Sequence, residues 1–416
     1  MTENLSRISS RKNDYHPWYP MEPNAGTFTE LCSTIGAQGV QVEQVHLVSD
    51  QNPFHDLEPV HGIMLLVPYN SNTYYSYHQQ QQESNHHSSS SSSSSSSSHN
   101  SSSNNSSHPI YFAKQMMHDA YALHGLLNIL LNGKNNVHIH LNLARFKQLT
   151  QYQSSGGKGT TLINTAFLRE AYNSLSTKGI KGRHPPAKQH GYQSIVFLKI
   201  EGAIWELDGM KENPTLLSAC HHDTIHWLDV VYRELLRRYQ RLDDSVTLWA
   251  VIEDRKLVLQ RQIVEKLYLR SAIERRLDFH RPDWRIKMNV IYWDEEFRHT
   301  IDNNETSRRG LQTSKQLLSY CQSFSQLPTQ HQAESTATLD NYTRNVETMG
   351  VAWLKIQDIM LQLYEKLGLE VEKTEKQRMD IQRKAFDYTP FIRSYLKGLY
   401  DEGHLPSVLR NYYTQH

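Results

Sequence analysis

The stretch from Phe112 to Gly133 predicts a buried helix at the centre of the fold. Apolar side chains recur there at steps of three and four residues, the spacing of one helix face. They are Met116, Ala120, Leu123, Leu127 and Leu130. Asn132-Gly133 supplies a helix stop signal. We therefore expect the rest of the chain to be organised around this helix.

A polar tract at residues 71–108 precedes the predicted helix and consists largely of Gln, His, Ser and Asn. Such a segment buries too little apolar surface to offset an ordering cost of about 1–2 kcal/mol per residue. The strand before it and the helix after it must still meet, and closure entropy grows only with the logarithm of loop length. We expect a disordered insert on the surface of one domain, and disorder also in the polar residues 1–17.

Charge and cysteine usage narrow the classes of partner and compartment. Lys plus Arg number 44 against 43 Asp plus Glu, so no bulk field favours nucleic acid or an anionic membrane. Arginines of the predicted helix 227–242 are interleaved with acidic residues, which favours a solvated face over a nucleic-acid surface. Cys32, Cys220 and Cys321 lie far apart, and neither an export signal nor an apolar run of about 18 residues is present. We expect an intracellular protein with reduced thiols, cytoplasmic or nuclear.

Local signals on both sides of the tract predict a mixed α+β domain. Thr27 with Glu30 three residues later has the pattern of a capping box and predicts a helix start. A hairpin is predicted around Glu201-Gly202, because apolar runs flank a turn pair. The remaining predicted elements are strands at 40–48, 59–67, 192–200, 203–207 and 246–253, and helices at 141–149, 161–175 and 227–242.

Two blocks of the sequence resemble a known family. Residues 26–48, GTFTELCSTIGAQGVQVEQVHLV, and residues 59–69, PVHGIMLLVPY, closely resemble the opening of the ubiquitin C-terminal hydrolases, a papain-like family of cysteine deubiquitinases. The resemblance extends from Trp18 to about Leu409, apart from the polar tract and part of residues 302–345. It implies a papain-like fold for residues 18–256, with a central antiparallel sheet flanked by helices.

The resemblance also implies where the family's chemistry would lie. The nucleophilic cysteine position falls at Tyr121 and the oxyanion donor at Gln115; the histidine position falls at Gln193, and the orienting aspartate is Asp208. The family's reaction needs a thiolate and a histidine that carries the proton. A phenol with a pKa of about 10 and an amide that neither takes nor gives a proton cannot fill these roles. We expect an inactive family member that serves as a scaffold or binds ubiquitin, with Gln193 donating to Asp208.

Two alternatives remain open on the sequence. An active deubiquitinase with a relocated thiol would use Cys32 or the segment 220–226, which holds one cysteine and three histidines. His222 and His226 have the spacing of helical zinc ligands, but the sequence favours a solvated helix start, and we expect neither a metal nor a cofactor. In the other alternative the Tyr121 ring overfills the channel for the ubiquitin tail, and the protein is a docking subunit without ubiquitin binding.

Beyond residue 257 the chain predicts long polar helices. Two interruptions are expected, a strand-like segment Asn289–Trp293 and a low-hydrophobicity linker over residues 302–345. An apolar stripe from Trp353 to Leu367 predicts a helix that ends at Gly368. The stripe fits either an intrachain core or a groove for a partner helix.

The last block, Gln382 to Leu409, resembles the C-terminal extension of the longer family members, the proteasome-associated and the chromatin-associated Calypso types. In those members the extension and the preceding helix bind a partner that carries a deubiquitinase-adaptor domain. The resemblance therefore implies a helical extension at residues 346–416, an adaptor partner of either kind, and partner binding by the apolar stripe.

Overall fold

The computed structural model describes residues 18–19, 21–47, 51–69, 110–133, 137–176, 191–219, 226–239, 246–320, 327–343, 346–407 and 409–410. The two segments expected to be disordered, residues 1–17 and 71–108, lie outside the described ranges. Across the parts that are described, no helix has the length and apolar character needed to cross a membrane.

The chain alternates short strands with helices before it becomes wholly helical. The strands are β1 Ala37–Gln38, β2 Val40–Val45, β3 Val60–Pro68, β4 His138–Ile139, β5 Tyr192–Ile200, β6 Ala203–Asp208, β7 Thr215–Ala219 and β8 Thr247–Glu253. The helices of the first half are α1 Ala25–Thr34, α2 Tyr121–Leu130, α3 Leu141–Thr150, α4 Ser155–Asn164, α5 Ala166–Leu175 and α6 Trp227–Tyr239. Those of the second half are α7 Arg255–His280, α8 Trp284–Lys287, α9 Val290–Asn303, α10 Glu305–Tyr320, α11 Thr329–Tyr342, α12 Val346–Ala385 and α13 Thr389–Asp401.

A six-stranded antiparallel sheet with the order β2-β8-β3-β5-β6-β7 forms the centre of the first half. The predicted hairpin is confirmed, because β5 and β6 pair around Glu201-Gly202, and both turn residues have positive φ. Helices pack against this sheet, so the expected fold class, a central antiparallel sheet flanked by helices with a helical C-terminal region, is confirmed.

Alternate residues of the central strands point to opposite faces of the sheet. Met64 and Leu66 of β3 pack with α1 and α2, while Ile63 and Leu65 pack with α6. Every residue of α2 is buried, so the helix is central as predicted. The sheet thus separates two apolar cores, one under α2 and one under α6.

The central helix is shorter than the predicted Phe112–Gly133. It begins at Tyr121, and Met116, expected on its buried face, is 46% exposed. Side chains of α2 hold the preceding segment in a non-helical conformation: Ala113 N donates to Asn128 Oδ1 at 2.8 Å, and Asn128 Nδ2 donates to Ala113 O at 3.2 Å. The segment before α2 therefore runs alongside the helix instead of extending it.

Two other local predictions needed correction. Helix α1 is capped by Asn24, whose Oδ1 accepts from Thr27 N at 3.1 Å, so Thr27 lies inside the helix instead of capping it. The single helix expected at 161–175 is two helices, because Thr165 adopts an extended conformation between α4 and α5.

The second half of the described chain is predominantly helical. The two segments expected to interrupt the helices, Asn289–Trp293 and residues 302–345, are themselves largely helical where they are described. The strand predicted at Asn289–Trp293 is wrong: Asn289 has a left-handed backbone, and α9 starts at the buried Val290. Helices α10 and α11 occupy the described parts of residues 302–345, where we expected a linker. Packing against α7 and α12 supplies the apolar contacts that these segments lack on their own.

Gly368 does not end a helix, because α12 continues to Ala385. A Cβ atom at Gly368 would collide with the carbonyl oxygen of Thr306, and one at Gly310 would collide with that of Tyr364. The two glycines therefore allow α10 and α12 to approach at the level of their backbones.

The apolar stripe of α12 belongs to an intrachain core. Trp353 and Leu367, at its two ends, are fully buried in a cluster that α7 also lines. The interpretation of the stripe as a partner groove is therefore wrong. Further along, α12 reaches the sheet domain, where Glu370 accepts from Gln41 at 2.6 Å and Lys384 pairs with Glu22 at 3.1 Å.

Candidate active-site region

Gln115 lies in the extended segment before α2 and is almost fully buried. Its backbone N donates to Gly209 O at 2.8 Å, and its side-chain Oε1 accepts from Ser194 N at 3.0 Å and from Ser194 Oγ at 3.1 Å. Nε2 donates to Tyr192 O at 2.6 Å and lies 3.5 Å from Met117 O. An oxyanion donor needs an N–H group directed at the reacting oxygen. Here the shortest hydrogen bond of the amide is the one to the backbone of β5.

Tyr121 is the first residue of α2 and is 1% exposed. Its hydroxyl donates to Met21 O at 2.7 Å, and its ring packs against Tyr192 at 4.8 Å and edge-on to Phe28 at 6.4 Å between centroids. Burial raises the pKa of the phenol well above its usual value. The side chain therefore links α2 to the segment before α1 as a neutral, hydrogen-bonded core residue.

Gln193 and Asp208 lie on the neighbouring strands β5 and β6, and both are fully buried. Gln193 Nε2 donates to Asp208 Oδ1 at 2.6 Å, which confirms the predicted bond, and Met210 N donates to the same oxygen at 3.0 Å. Burial raises the pKa of Asp208, although these two bonds and the Lys211 ammonium, 4.0 Å from Oδ2, partly oppose the shift. Gln193 Oε1 and Asp208 Oδ2 are buried acceptors without a hydrogen-bond partner.

The structure brings all four predicted side chains to the same end of β5. Tyr192 joins them: its carbonyl accepts from Gln115, its ring packs on Tyr121, and the next residue is Gln193, the partner of Asp208. Sequence reasoning named the four residues but gave no signal for Tyr192. The arrangement can hold backbone and side chains in place, but its described groups include no thiolate and no imidazole bonded to the carboxylate.

Two histidines lie near this region. His124, one helical turn after Tyr121, is fully buried beside the Ala113 backbone, and neither ring nitrogen has a hydrogen-bond partner. Burial lowers the pKa of His124 to about 3, so the ring is neutral at physiological pH. His118 stacks on Tyr69 with 3.8 Å between ring centroids. The three-residue spacing from Tyr121 was a usable signal for His124, which sequence reasoning missed.

Only one of the three thiols lies in the described part of the chain. Cys32, a candidate for the relocated thiol, is fully buried in α1, and burial raises its pKa to about 12. A nucleophilic thiol needs the opposite shift. Cys220, His221 and His222, the other candidates for a relocated site, lie outside the described residues, as does Cys321.

Two arginines of α6, Arg237 and Arg238, are ion-paired, as expected for a solvated helix face, and Arg233 donates to the backbone carbonyl of Asp229. Glu234 accepts from both Arg237 and Arg238 at 2.6 Å, and Arg238 also reaches the buried Glu206 at 2.6 Å. Arg241, included in the predicted basic face, is outside the described residues. The described charges of this face are used for intrachain bonds.

Comparison with known proteins agrees with this architecture. The family model "Ubiquitin carboxyl-terminal hydrolase, family 1" matches residues 18–240, more than half of the chain. The fold and the match define the class of protein: this chain belongs to the ubiquitin carboxyl-terminal hydrolase family, peptidase family C12, of the ubiquitin pathway.

Individual relatives include long members of the family. The chain is 23% identical over 402 residues to ubiquitin carboxyl-terminal hydrolase isozyme L5 of Dictyostelium discoideum, covering 94% of each protein. It is 28% identical over 274 residues to the BAP1 hydrolase of Xenopus tropicalis and spans only 37% of that protein's length. Among solved structures, Trichinella spiralis UCH37 bound to ubiquitin vinyl methyl ester matches with a TM-score of 0.44 and 22% identity, over 59% of this chain and 86% of that one.

Proposed function

We propose that this protein is a catalytically inactive member of the ubiquitin C-terminal hydrolase family and serves as a scaffold or ubiquitin-binding subunit. The observation that carries the proposal is the state of Tyr121, which we assign to the nucleophile position. Its phenol is buried, neutral and bonded to Met21 O at 2.7 Å. A group in this state cannot attack the carbonyl carbon of a ubiquitin tail.

The other assigned positions support the same conclusion. At the histidine position, Gln193 has no proton to exchange near pH 7, and its Nε2 is bonded to Asp208 at 2.6 Å. At the oxyanion position, Gln115 directs Nε2 at Tyr192 O at 2.6 Å. Hydrolysis through a thioester would therefore lack its nucleophile and its acid–base group.

Hydrolysis of a fluorogenic ubiquitin amide by the full chain, with and without an adaptor domain, tests this proposal. We expect no turnover above background from the wild type or from Tyr121→Cys, because the single variant still lacks a base. Tyr121→Cys combined with Gln193→His should regain measurable turnover, and Cys32→Ser serves as the thiol control. Wild-type turnover that any single substitution in this chain abolishes would overturn the assignment of an inactive site.

A ubiquitin vinyl sulfone probe separates an inactive protein from one with a relocated thiol. The burial and raised pKa of Cys32 predict no adduct there. Labelling at Cys220, located by peptide mass spectrometry and lost in Cys220→Ser, would establish the relocated site instead. An unlabelled chain supports the inactive family member.

Ubiquitin binding needs its own measurement, because a closed site and a binding surface are separate properties. Titration of fluorescently labelled ubiquitin with the full chain should give saturable binding. The variant Tyr121→Ala, which removes the packed ring, provides the comparison, and its fold is monitored by circular dichroism. Absence of detectable binding to the wild type would reduce the proposal to a docking subunit.

We also propose that residues 346–416 form a C-terminal extension that binds an adaptor domain, proteasomal or chromatin-associated, through its last helix α13, in the cytoplasm or nucleus. Helix α13 has no buried residue in the described chain and is amphipathic. Its exposed side includes Phe391, 66% exposed and stacked on Tyr395. Further exposed apolar residues of α13 are Ile392, Leu396 and Tyr400, and Phe386, Tyr388 and Leu409 are exposed beyond its two ends. A row of this kind on a helix matches what helix-in-groove partners use.

Binding of a purified deubiquitinase-adaptor domain to α13 variants of the full chain tests the extension. Phe391→Ser with Tyr395→Ser should weaken binding at least tenfold, since exposed aromatic anchors dominate such interfaces. Arg393→Ser, on the same helix between the two anchors, is the matched control and should change binding little. Equal loss from the control and the double variant would contradict the assignment, and co-purification with mass spectrometry would identify the adaptor.

A further inference from the structure

A cluster of imidazole and carboxylate groups lies away from the region described above. It joins the turn before β3, which carries His55 and Glu58, to the start of α6, which carries His226 and Asp229. His55 Nδ1 lies 2.9 Å from Glu58 Oε1, and His226 Nε2 lies 3.7 Å from the same oxygen. The centroids of the His55 and His226 imidazole rings are 5.1 Å apart. Ligating atoms from three side chains therefore converge within 4.8 Å of one another.

We propose that His55, Glu58 and His226 form a binding site for a divalent transition-metal ion of the zinc class. Two imidazoles and one carboxylate form a ligand set that suits Zn²⁺, and the fourth tetrahedral position would be open to water. The site is distinct from the Gln115, Tyr121, Gln193 and Asp208 region in both its residues and its chemistry.

The spacing of the ligating atoms suits a tetrahedral ion. Zinc–nitrogen and zinc–oxygen bonds of about 2.0–2.2 Å place neighbouring ligand atoms about 3.3 Å apart. The observed separations from Glu58 Oε1, 2.9 Å to His55 and 3.7 Å to His226, lie on either side of that value. All three side chains are half-exposed, so small rotations suffice to seat the ion without displacing core residues.

A second carboxylate supports His55 from the other side of its ring. His55 Nε2 lies 2.8 Å from Asp229 Oδ1, and that oxygen also accepts from Asn52 Nδ2 at 2.7 Å. In zinc sites a ligating histidine usually donates its other ring N–H to a carboxylate, which fixes the tautomer and the ring orientation. Asp229 is thus in place as a positioning residue that leaves Nδ1 of His55 facing Glu58.

The backbone on both sides of the cluster is anchored. Phe54 and Trp227, the neighbours of His55 and His226, are buried in the apolar core under α6. A site whose ligands stand on anchored backbone loses little entropy on binding. An ion here would tie the turn before β3 to the start of α6.

Site-resolved footprinting with diethyl pyrocarbonate tests the proposal on the full chain, because many other histidines occur in the sequence. At pH 8, micromolar ZnCl₂ should protect His55 and His226 together, as read by peptide mass spectrometry, and leave His138 reactive. In His226→Gln the protection of His55 should disappear. Asp229→Asn should shift the zinc dependence of protection by about 10- to 100-fold to higher concentration.

Thermal unfolding gives a second readout. Zinc binding at other histidines contributes equally to the Tm of every chain compared, so it cancels in the difference. Zinc should raise the Tm of the wild type more than that of His55→Asn/His226→Gln, and His138→Gln should behave as the wild type. Independent protection of the two histidines, protection of His55 that persists in His226→Gln, or equal Tm shifts in all chains would overturn the site. Protection that needs millimolar zinc would mark an adventitious ion only and would also overturn it.

Discussion

Replacing Asp208 by Asn should stabilise this protein, and the reason lies in two buried acceptors. In the wild type, Asp208 Oδ1 receives bonds from Gln193 and Met210, whereas Asp208 Oδ2 and Gln193 Oε1 are buried without a hydrogen-bond partner. An amide at position 208 keeps an oxygen to accept both existing bonds. Its NH₂ group replaces the unpaired Oδ2 and offers a donor beside Gln193.

The magnitude follows from the cost of an unsatisfied buried group, about 1–3 kcal/mol. The variant removes one such acceptor and can satisfy the other, so we expect the free energy of unfolding at pH 7 to rise by about 1–3 kcal/mol. The variant also loses the attraction between the Asp208 carboxylate and the Lys211 ammonium. This loss is small, because Lys211 lies 4.0 Å from Oδ2, is partly exposed, and keeps its ion pair with Glu206 at 3.2 Å.

The pH dependence of this difference has a defined sign. Burial raises the pKa of Asp208 in the folded protein above its ordinary value of 3.8. Below 3.8 the carboxyl is protonated in both states and costs little. As the pH rises from 3.8 to the raised folded pKa, the unfolded state loses its proton first and stability falls, and above the folded pKa the full penalty of the buried charge is present. The gain from Asp208→Asn should therefore be small near pH 3 and complete at neutral pH.

Urea unfolding of wild type and variant from pH 3 to 8, compared as a difference at each pH, measures the effect. Asp358→Asn is the matched control, since Asp358 is exposed on α12 and should change stability by less than about 0.5 kcal/mol. A loss of more than 1 kcal/mol in Asp208→Asn at pH 7 would refute the reasoning. It would mean that the folded protein depends on the charge of Asp208.

The remaining predictions concern packing and buried polar groups. Gly310→Ala and Gly368→Ala should each destabilise the protein by about 1–3 kcal/mol in urea unfolding, because a methyl group meets backbone, whereas Gly398→Ala, with open space around it, should stabilise by about 0.5–1 kcal/mol. His124→Leu should flatten the loss of stability on acidification: the folded pKa of about 3 lies below the unfolded 6.5, so the wild type is penalised by about 2 kcal/mol at pH 5. Tyr121→Phe should lower the free energy of unfolding by about 1 kcal/mol, since a backbone carbonyl loses its donor. An unchanged pH profile in His124→Leu, or an unchanged urea midpoint in Tyr121→Phe, would contradict these assignments.

The sheet was predictable because its determinants are local. Apolar runs with turn residues between them located β5 and β6 to within a residue, and the Glu201-Gly202 turn fixed their pairing. The start of the central helix was not predictable in this way. It depends on Asn128, whose side chain bonds the backbone of Ala113 fifteen positions earlier and removes that segment from the helix.

Tertiary packing also overrode two local signals in the helical half. Asn289–Trp293 combines β-branched and aromatic residues, which favour a strand. In the structure this segment forms the N-terminal end of α9, and Val290 is buried there. Gly368 resembles a helix stop, but its lack of a side chain serves close approach to α10. A single sequence cannot distinguish a glycine that ends a helix from one that lets another helix approach.

At the candidate site, resemblance supplied the residues but not their surroundings. Nothing in the local sequence links Tyr121 to Met21, one hundred positions away, and only the folded chain shows where the phenol is directed. The cluster of His55, Glu58 and His226 likewise depends on two distant segments, and sequence spacing had favoured a solvated helix start at the second of them.

The identity of residue 193 explains how a retained carboxylate is tolerated in a closed site. A buried carboxylate is costly unless donors surround it. Histidine would supply a donor and also a proton carrier, whereas an apolar residue would leave Asp208 with Met210 N as its hydrogen-bond donor among the described contacts. Glutamine supplies a donor at 2.6 Å and no acid–base chemistry. Gln193 therefore supplies one donor to the buried carboxylate, leaves Oδ2 without a partner, and offers no acid–base chemistry, which is the combination expected of the inactive family member proposed above.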